Sequence, residues 1–506
     1  MDSAEQGLGR TAEAPSDTLL FGLCCLLLVL PLWTVQYLPM VDLPQHAAQI
    51  SVMKHLNDPA FGYRDIFTLK LFTPYLLGYG LGWLLSALVS VQTALRILIT
   101  VAVLAVPLTA RTLNIRMGGR PEWSFLAFPI ALSFSYGWGF LNFLIGIPLS
   151  LIFIVLSCRY AEQPTRVRGA WLFVLSLILF WCHLVIAAFS CLVGATIVGL
   201  RSTGLKSALT KVLPFASPVP LAFLWLLRTS ATEAQVNTGI VFGGHLERIA
   251  LLPSHVLGSI ADTFQASGGL TYFLAGSILL CLPFLTGAGP SRKIWRWAPL
   301  VICLTLYFAS PSRAFFTFQL YPRFAVFVVP LLLLALEPRV QSFARDSITR
   351  KLPLVFALGW MLSTLLSYQS FAKETGDFDR VLDQMEPHKK VLGMVFEQQS
   401  EYRIGPVYVH FPCWYQVNRG GVSQVSFAKF FSVVARFKPG ADARVKIGFE
   451  WVPQIFEWER HGGEEFDYFL VRSESDVSPL VFQDDPVALK FRSDQWWVFE
   501  NLDRPE

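Results

Sequence analysis

The stretch Pro39-Met-Val-Asp-Leu-Pro-Gln-His46, continuing as Ala47-Ala-Gln-Ile-Ser-Val-Met-Lys-His-Leu-Asn-Asp-Pro59, decides how the chain is read. It follows an apolar run, Thr18 to Leu38, long enough to cross a bilayer. Asp42 is therefore expected at the rim of a membrane, where an ionised carboxylate is costly unless it has a partner or a task. Pro44 has a fixed φ and no donor N–H, so it suits the first turn of a helix. Asp42, His46 and Gln49 then point toward one side as that helix begins. Two readings of Asp42 compete: a carboxylate kept for chemistry, or one that only stabilises the positive N-terminus of the helix.

Composition supports the membrane setting. Of the 506 residues 53% are hydrophobic and 15% charged, with a positive mean hydropathy, outside the norm for soluble domains. The formal charge of +5 is too mild to point to nucleic acid. Lysines and arginines sit in short clusters between apolar runs, as topogenic charge does. Most of the eight cysteines lie in apolar runs as small hydrophobes, and Cys413 stands alone beyond the last run, so no disulfide is expected there. No Cys/His zinc spacing appears, and the pair His245 and His255 does not supply one.

Apolar runs at Thr18–Leu38, Ala94–Arg111, Trp123–Phe134, Gly139–Cys158, Ala170–Trp181, Leu184–Leu200, Val212–Leu227, Thr271–Thr286, Ala298–Ala309, Arg323–Leu336 and Leu352–Ser367 predict a polytopic α-helical membrane protein with about 11 transmembrane helices. Basic clusters at Arg111/Arg116/Arg120, Arg159/Arg166/Arg168, Arg201/Lys206/Lys211, Arg292/Lys293/Arg296 and Arg339/Arg345/Arg350/Lys351 place those connections in the cytoplasm. The expected organisation is a cytoplasmic tail over 1–17, a multi-helix domain over 18–371 with its first extracytoplasmic loop at 39–93, and a soluble extracytoplasmic α/β domain over 372–506. Phe72–Ser90 is read as one or two helices lying in the interface, with Tyr75, Tyr79 and Trp83 at headgroup level. Ala170–Leu200 is read as a hairpin with His183 at its tip. In the last domain, Val391–Phe396, Val407–Phe411, Phe466–Val471 and Trp496–Phe499 read as strands and Asp377–Met385 as a helix.

That topology gathers polar residues on the far side. The first loop supplies Asp42, His46, Asp58, Arg64, Asp65 and Lys70, and the turn at Ser133–Asn142 supplies Tyr136 and Asn142. His183 stands at the next tip, His245, Glu247, Arg248, His255 and Asp262 in a long loop, and Arg313, Gln319, Tyr321 and Arg323 in another. Acid, imidazole and guanidinium concentrated at one rim suit phosphate-linked lipid chemistry. There a carboxylate deprotonates an acceptor and Arg or Lys holds a leaving phosphate. Each residue also has a plainer reading: His183 as a hydrogen-bonded structural histidine, Asn142 as helix glue, Arg323 as an interfacial snorkel, Arg313 as loop solvation, and Asp58 and Asp65 as turn or cap residues.

The stretch from Asp42 to Asp58, the Pro74-Tyr-Leu-Leu-Gly-Tyr79 segment and Arg96 at the start of the second span resemble the GT-C superfamily of membrane glycosyltransferases. Specific residues match over about the first fifth of the chain, the architecture throughout. The resemblance implies a polyprenyl-phosphate-linked sugar donor, an acceptor that is a glycan, lipid or protein, and an inverting transfer at the extracytoplasmic face of a bacterial inner membrane. Asp42 would be the general base. His46, Lys70, Tyr79, Asn142, His183, Arg313 and Arg323 would bind substrate, with Arg323, aided by Lys70 or Arg313, on the leaving phosphate. Leu43 stands where that superfamily frequently has a second acid, and Thr73 where it has a lysine. The first departure weakens the case for a divalent cation, the one cofactor left open. No nucleotide-binding glycine loop is visible, so no soluble nucleotide sugar is expected. The alternatives are a transporter or flippase of lipid-linked saccharides, which would carry polar residues at mid-membrane in two related halves, and a non-catalytic subunit of an envelope complex.

Overall fold

In the computed structural model the described residues are 15–230, 239–260, 268–314, 317–339, 349–403, 405–424, 426–430, 432–441 and 447–503. Asp262, Arg345 and residues 1–14 of the expected tail lie outside them. Among the described residues, three helical stretches are long and apolar enough to cross a bilayer: Val91–Arg116, Leu141–Glu162 and Leu352–Asp383. The pair Leu205–Ala216 and Pro218–Thr229, bent by 47°, would make a fourth if it counts as one span. Further apolar helices such as Leu184–Leu200, Gly269–Leu285 and Ile294–Ala309 run 10–17 residues. At 1.5 Å per residue these reach at most ~26 Å, short of a ~30 Å hydrocarbon core without help from flanking segments.

The chain forms two compact units. The first holds the described residues of Met1–Leu32, Ile99–Tyr136 and Asn142–Leu365. Helices Arg166–Cys182 and Leu184–Leu200 pack against each other and break at His183, whose backbone is extended, so the expected hairpin is present. Trp123–Phe134, expected as one span, is instead a 3-10 turn over Pro121–Leu126 and a short helix over Ala127–Ala131. Pro121 and Pro129 withhold N–H donors, and Leu132 leaves helical geometry. Arg296, read above as topogenic, is buried. It donates to the carbonyls of Leu334 (2.6 Å), Leu336 (2.8 Å) and Met117 (3.0 Å) and pairs with Glu337 at 2.6 Å. It thereby closes the C-terminal end of helix Ala325–Ala335, where a cation is favoured.

The second unit holds the described residues of Trp33–Leu98, Gly137–Leu141 and Leu366–Glu506. Its centre is a five-stranded mixed sheet of β1 (Lys390–Val395), β2 (Val422–Ser423), β3 (Tyr468–Arg472), β4 (Val487–Ser493) and β5 (Trp496–Asn501), in the order β4-β5-β3-β1-β2. β1 is parallel to β2 and β3, while β5 is antiparallel to β3 and β4. An aromatic core including Phe449, Phe456, Phe469, Phe482 and Phe499 covers one side of it. Val407–Phe411 is not a strand. Pro406 and Pro412 flank it, and Phe411 and Cys413 donate to the carbonyls of Tyr408 and His410, so the segment curls into successive turns.

The segment after the first helix does not hang as an isolated loop but folds with the C-terminal part of the chain. Phe67–Leu69 pairs antiparallel with Ala435–Phe437. The Gln49 amide brackets Ala435, donating to its carbonyl at 3.0 Å and accepting from its N–H at 2.8 Å. Tyr63 donates to the Gln416 carbonyl at 2.5 Å, and Tyr63 and Phe67 are fully buried. The polar side chains that made this stretch look like a binding surface are thus partly spent holding it to its own unit.

Candidate active site

Helix Leu43–His55 starts as its sequence predicts, with Asp42 at the N-cap and Pro44 in the first turn. The Asp42 side chain, however, makes no capping hydrogen bond. The backbone supplies the anchorage instead: the N–H groups of Val41 and Asp42 donate to the carbonyls of Gly137 (3.1 Å) and Trp138 (2.9 Å). The carboxylate faces His410, whose Nε2 lies 3.4 Å from Asp42 Oδ1. On the other side of the ring, His410 Nδ1 is 2.6 Å from Glu450 Oε1. Gln45, fixed by the Phe427 N–H it accepts at 2.9 Å, brings its Nε2 within 3.3 Å of the same Nδ1. Phe427 and Trp451 stand edge-on to the imidazole at 5.7 Å.

Burial alone would strip a proton from His410, but the Glu450 and Asp42 carboxylates outweigh it and raise the imidazole from 6.5 to about 9. Burial raises the Glu450 carboxyl, with His410 pulling the other way. The group is therefore an imidazolium between two acids at neutral pH. Among the described residues no three His, Cys, Asp or Glu side chains are placed to hold a metal ion.

Gly139 fits the bracket because it has no Cβ. Its φ is +82°, and an added Cβ would lie 2.8 Å from the Asp42 nitrogen and 2.9 Å from that of Leu43. Gly139→Ala should therefore push the start of helix Leu43–His55 off its bracket and cost ~1–3 kcal/mol of stability through strain at positive φ. Thermal unfolding of the purified chain checks this, and an unchanged melting temperature would show that the bracket gives way freely.

Other residues singled out from the sequence fall into each unit separately. In the second unit His46 Nδ1 and the Tyr79 hydroxyl meet at 2.8 Å, both buried, while Lys70 is exposed and its backbone N–H donates to Val434 at 2.8 Å. Asp58 makes the turn expected of it, accepting from the Ala60 N–H at 2.9 Å. In the first unit Arg323 and His183 are brought together, Nη1 to Nε2 at 3.2 Å. His183 Nδ1 accepts from Val185 N–H at 3.2 Å, and the ring meets Phe143 edge-on at 5.2 Å. Arg323 Nε and Nη2 donate to the carbonyls of Gln319 (3.0 Å) and Phe318 (2.9 Å). Asn142 is buried, its carbonyl 2.9 Å from Cys182 Sγ, and Arg313 lies in a short strand paired with Ile240–Val241 and Thr317–Phe318. Arg248 is structural: it donates to the carbonyls of Tyr307, Phe308 and Ser310 at the end of helix Ile294–Ala309.

His410 and Glu450 are the residues sequence reasoning missed. Reading Val407–Phe411 as a strand made His410 one position in an alternating pattern, and Glu450 stands alone between Phe449 and Trp451. The flanking prolines at 406 and 412 were the available sign that His410 sits in a turn.

No protein-family model matches the sequence, and no curated protein matches it. Solved structures do. ArnT from Cupriavidus metallidurans, crystallised in the apo state, is 12% identical, with a TM-score of 0.56 over 96% of this chain and 97% of that one. The arabinofuranosyltransferase AftD from Mycobacteria, seen by single-particle cryo-EM, is 13% identical with a TM-score of 0.43, over 97% of this chain and 40% of that one. The likeness to ArnT shows a shared fold.

Proposed function

We propose that this chain is an integral-membrane glycosyltransferase that moves a sugar from a polyprenyl-phosphate carrier to an extracytoplasmic acceptor, inverting the anomeric centre. The observation that carries this reading is Asp42, a buried-edge carboxylate that spends nothing on capping its helix and is engaged by His410. It lies in a chain with the fold of ArnT.

In the proposed step Asp42 takes the proton of the acceptor hydroxyl as that oxygen attacks the anomeric carbon. The bond from that carbon to the phosphate oxygen breaks on the opposite face, and its electron pair leaves with the polyprenyl phosphate. One in-line displacement follows, with no covalent intermediate. Arg323 is assigned to the leaving phosphate, since a guanidinium matches its oxygens, with Lys70 or Arg313 as further cations. His46, Tyr79, Asn142 and His183 are assigned to orienting acceptor or phosphate. The proposed topology has about 11 crossings, a cytoplasmic N-terminus and an extracytoplasmic C-terminal region.

Mass spectrometry of envelope lipids and glycans in a host deleted for this chain tests the proposal. One sugar modification should vanish while its lipid-linked donor accumulates, and an unchanged profile would reject the assignment. Thiol labelling at cysteines introduced beyond Phe371 and within Arg292–Arg296 should mark the first from outside the cell and the second only after permeabilisation.

A further inference from the structure

His410 and Glu450 have no role in the step just described, yet both are buried, and buried charge persists only when paired. Side-chain exposure falls along the row from 13% at Asp42 to 5% at His410 and 1% at Glu450. The open end of the row is thus the proposed base, and its closed end is an acid no substrate could reach. Nothing in the packing of helix Leu43–His55 requires this: its start is already tied by Gly137 and Trp138.

We propose that His410, aligned and charged by Glu450, is a positioning residue whose Nε2–H holds Asp42 Oδ1, leaving Oδ2 as the oxygen that takes the acceptor's proton. This rests on Asp42 being the base. The geometry divides the labour. Glu450 Oε1 lies 2.6 Å from Nδ1 and Asp42 Oδ1 3.4 Å from Nε2, so the charged ring stands between the two carboxylates, with Phe427 and Trp451 edge-on to it. A carboxylate held through one oxygen keeps one rotamer, and a reacting group fixed in this way avoids reorganising during the transfer. Loss of the proton from His410 would leave Nε2 a lone pair facing Asp42, and the hold would become a repulsion.

The charged groups around the row are few. Asp42 and Glu450 both face His410 and raise it to about 9. Lys429 faces Glu450 and favours its ionised form. The thiol of Cys413 is pushed up by burial and then by Glu450, so it stays neutral. Because His410 is raised above its ordinary 6.5, its protonation stabilises the folded row fully below that pH, and the contribution is lost as pH rises through about 9.

The test uses isolated membranes containing the full-length chain and follows the envelope product that deletion removes, from about pH 6 to 10. The wild-type rate should hold and then fall as pH passes about 9. Glu450→Gln removes the nearer acid, so its fall should begin at lower pH. Each unit of displacement costs ~tenfold in imidazolium at a pH above both midpoints, while near pH 6 the variant should come within ~twofold of wild type. Glu450→Asp keeps the charge and should restore most of the profile. His410→Gln donates from an amide that cannot titrate, so its alkaline fall should disappear, and this second variant serves if Glu450→Gln does not fold. A Glu450→Gln profile lowered by one factor at every pH, or a His410→Gln profile that still falls near 9, would overturn the inference. Asp42→Asn separates the two claims. Activity in that variant would end the base assignment and this inference together, whereas its inactivity beside an unshifted Glu450→Gln profile would end this inference alone.

Discussion

Asp42→Asn is expected to lower sugar transfer by ~100-fold or more while the protein still folds and reaches the membrane. The substitution keeps the volume and keeps an oxygen that can accept from His410 Nε2, 3.4 Å away. Since the aspartate side chain makes no capping bond, no cap is lost with it. The backbone bonds of Val41 and Asp42 to Gly137 and Trp138 are likewise untouched. What disappears is the basic oxygen. Transfer measured in membranes against equal amounts of folded protein gives the result. Asp58→Asn, at a surface turn in the same stretch, should be close to neutral and is the matched control.

The second large effect is on stability, at a buried ion pair of the same unit. Arg472, at the end of β3, is 3% exposed and pairs with Glu374 at 3.2 Å. Its guanidinium lies 3.6 Å from the centre of the Tyr408 ring and also donates to the Glu397 carbonyl. Glu374 is the last residue of helix Leu352–Glu374, so within the second unit the pair fastens that end of the helix to the sheet. Glu374→Gln leaves a buried cation without its anion and should destabilise the unit by ~3–5 kcal/mol, whereas Glu374→Gln combined with Arg472→Met should be milder than the single change. Thermal unfolding in detergent of the wild type, the two single variants Glu374→Gln and Arg472→Met, and the double variant reads this out. A double variant as unstable as the sum of the singles would mean the two groups are not coupled.

How far the sequence was legible follows from what each signal depends on. Local signals read well. Pro44 marks the first turn of a helix, the flanking arginines make a hairpin of the run around His183, and β1 and β5 follow from their β-branched and aromatic residues. Local chemistry also explains the failures: the prolines around Val407–Phe411 make turns, and those of Pro121–Ala131 break a span that hydropathy alone would draw. β4, at the edge of the sheet, has no buried position and so does not stand out. The candidate site was half visible. Asp42 could be picked out because a carboxylate after an apolar run is conspicuous; in the other unit, and separately, Arg323 and His183 stood out because each stands at a helix end. His410 and Glu450 reach Asp42 only through long-range folding, and no spacing in the chain announces that. The same folding engages Gln49, Tyr63 and Thr73, each of which bonds to backbone far along the chain.

The most direct measurement adds purified protein to membranes from the deleted host, which hold the accumulated donor and the unmodified acceptor, and follows acceptor and carrier together by mass spectrometry. Wild type is expected to restore the missing sugar on the acceptor and to release one free polyprenyl phosphate for each sugar moved, and Asp42→Asn to do neither. Transfer by Asp42→Asn at the wild-type rate, or disappearance of the donor with no sugar on any acceptor, would contradict that expectation.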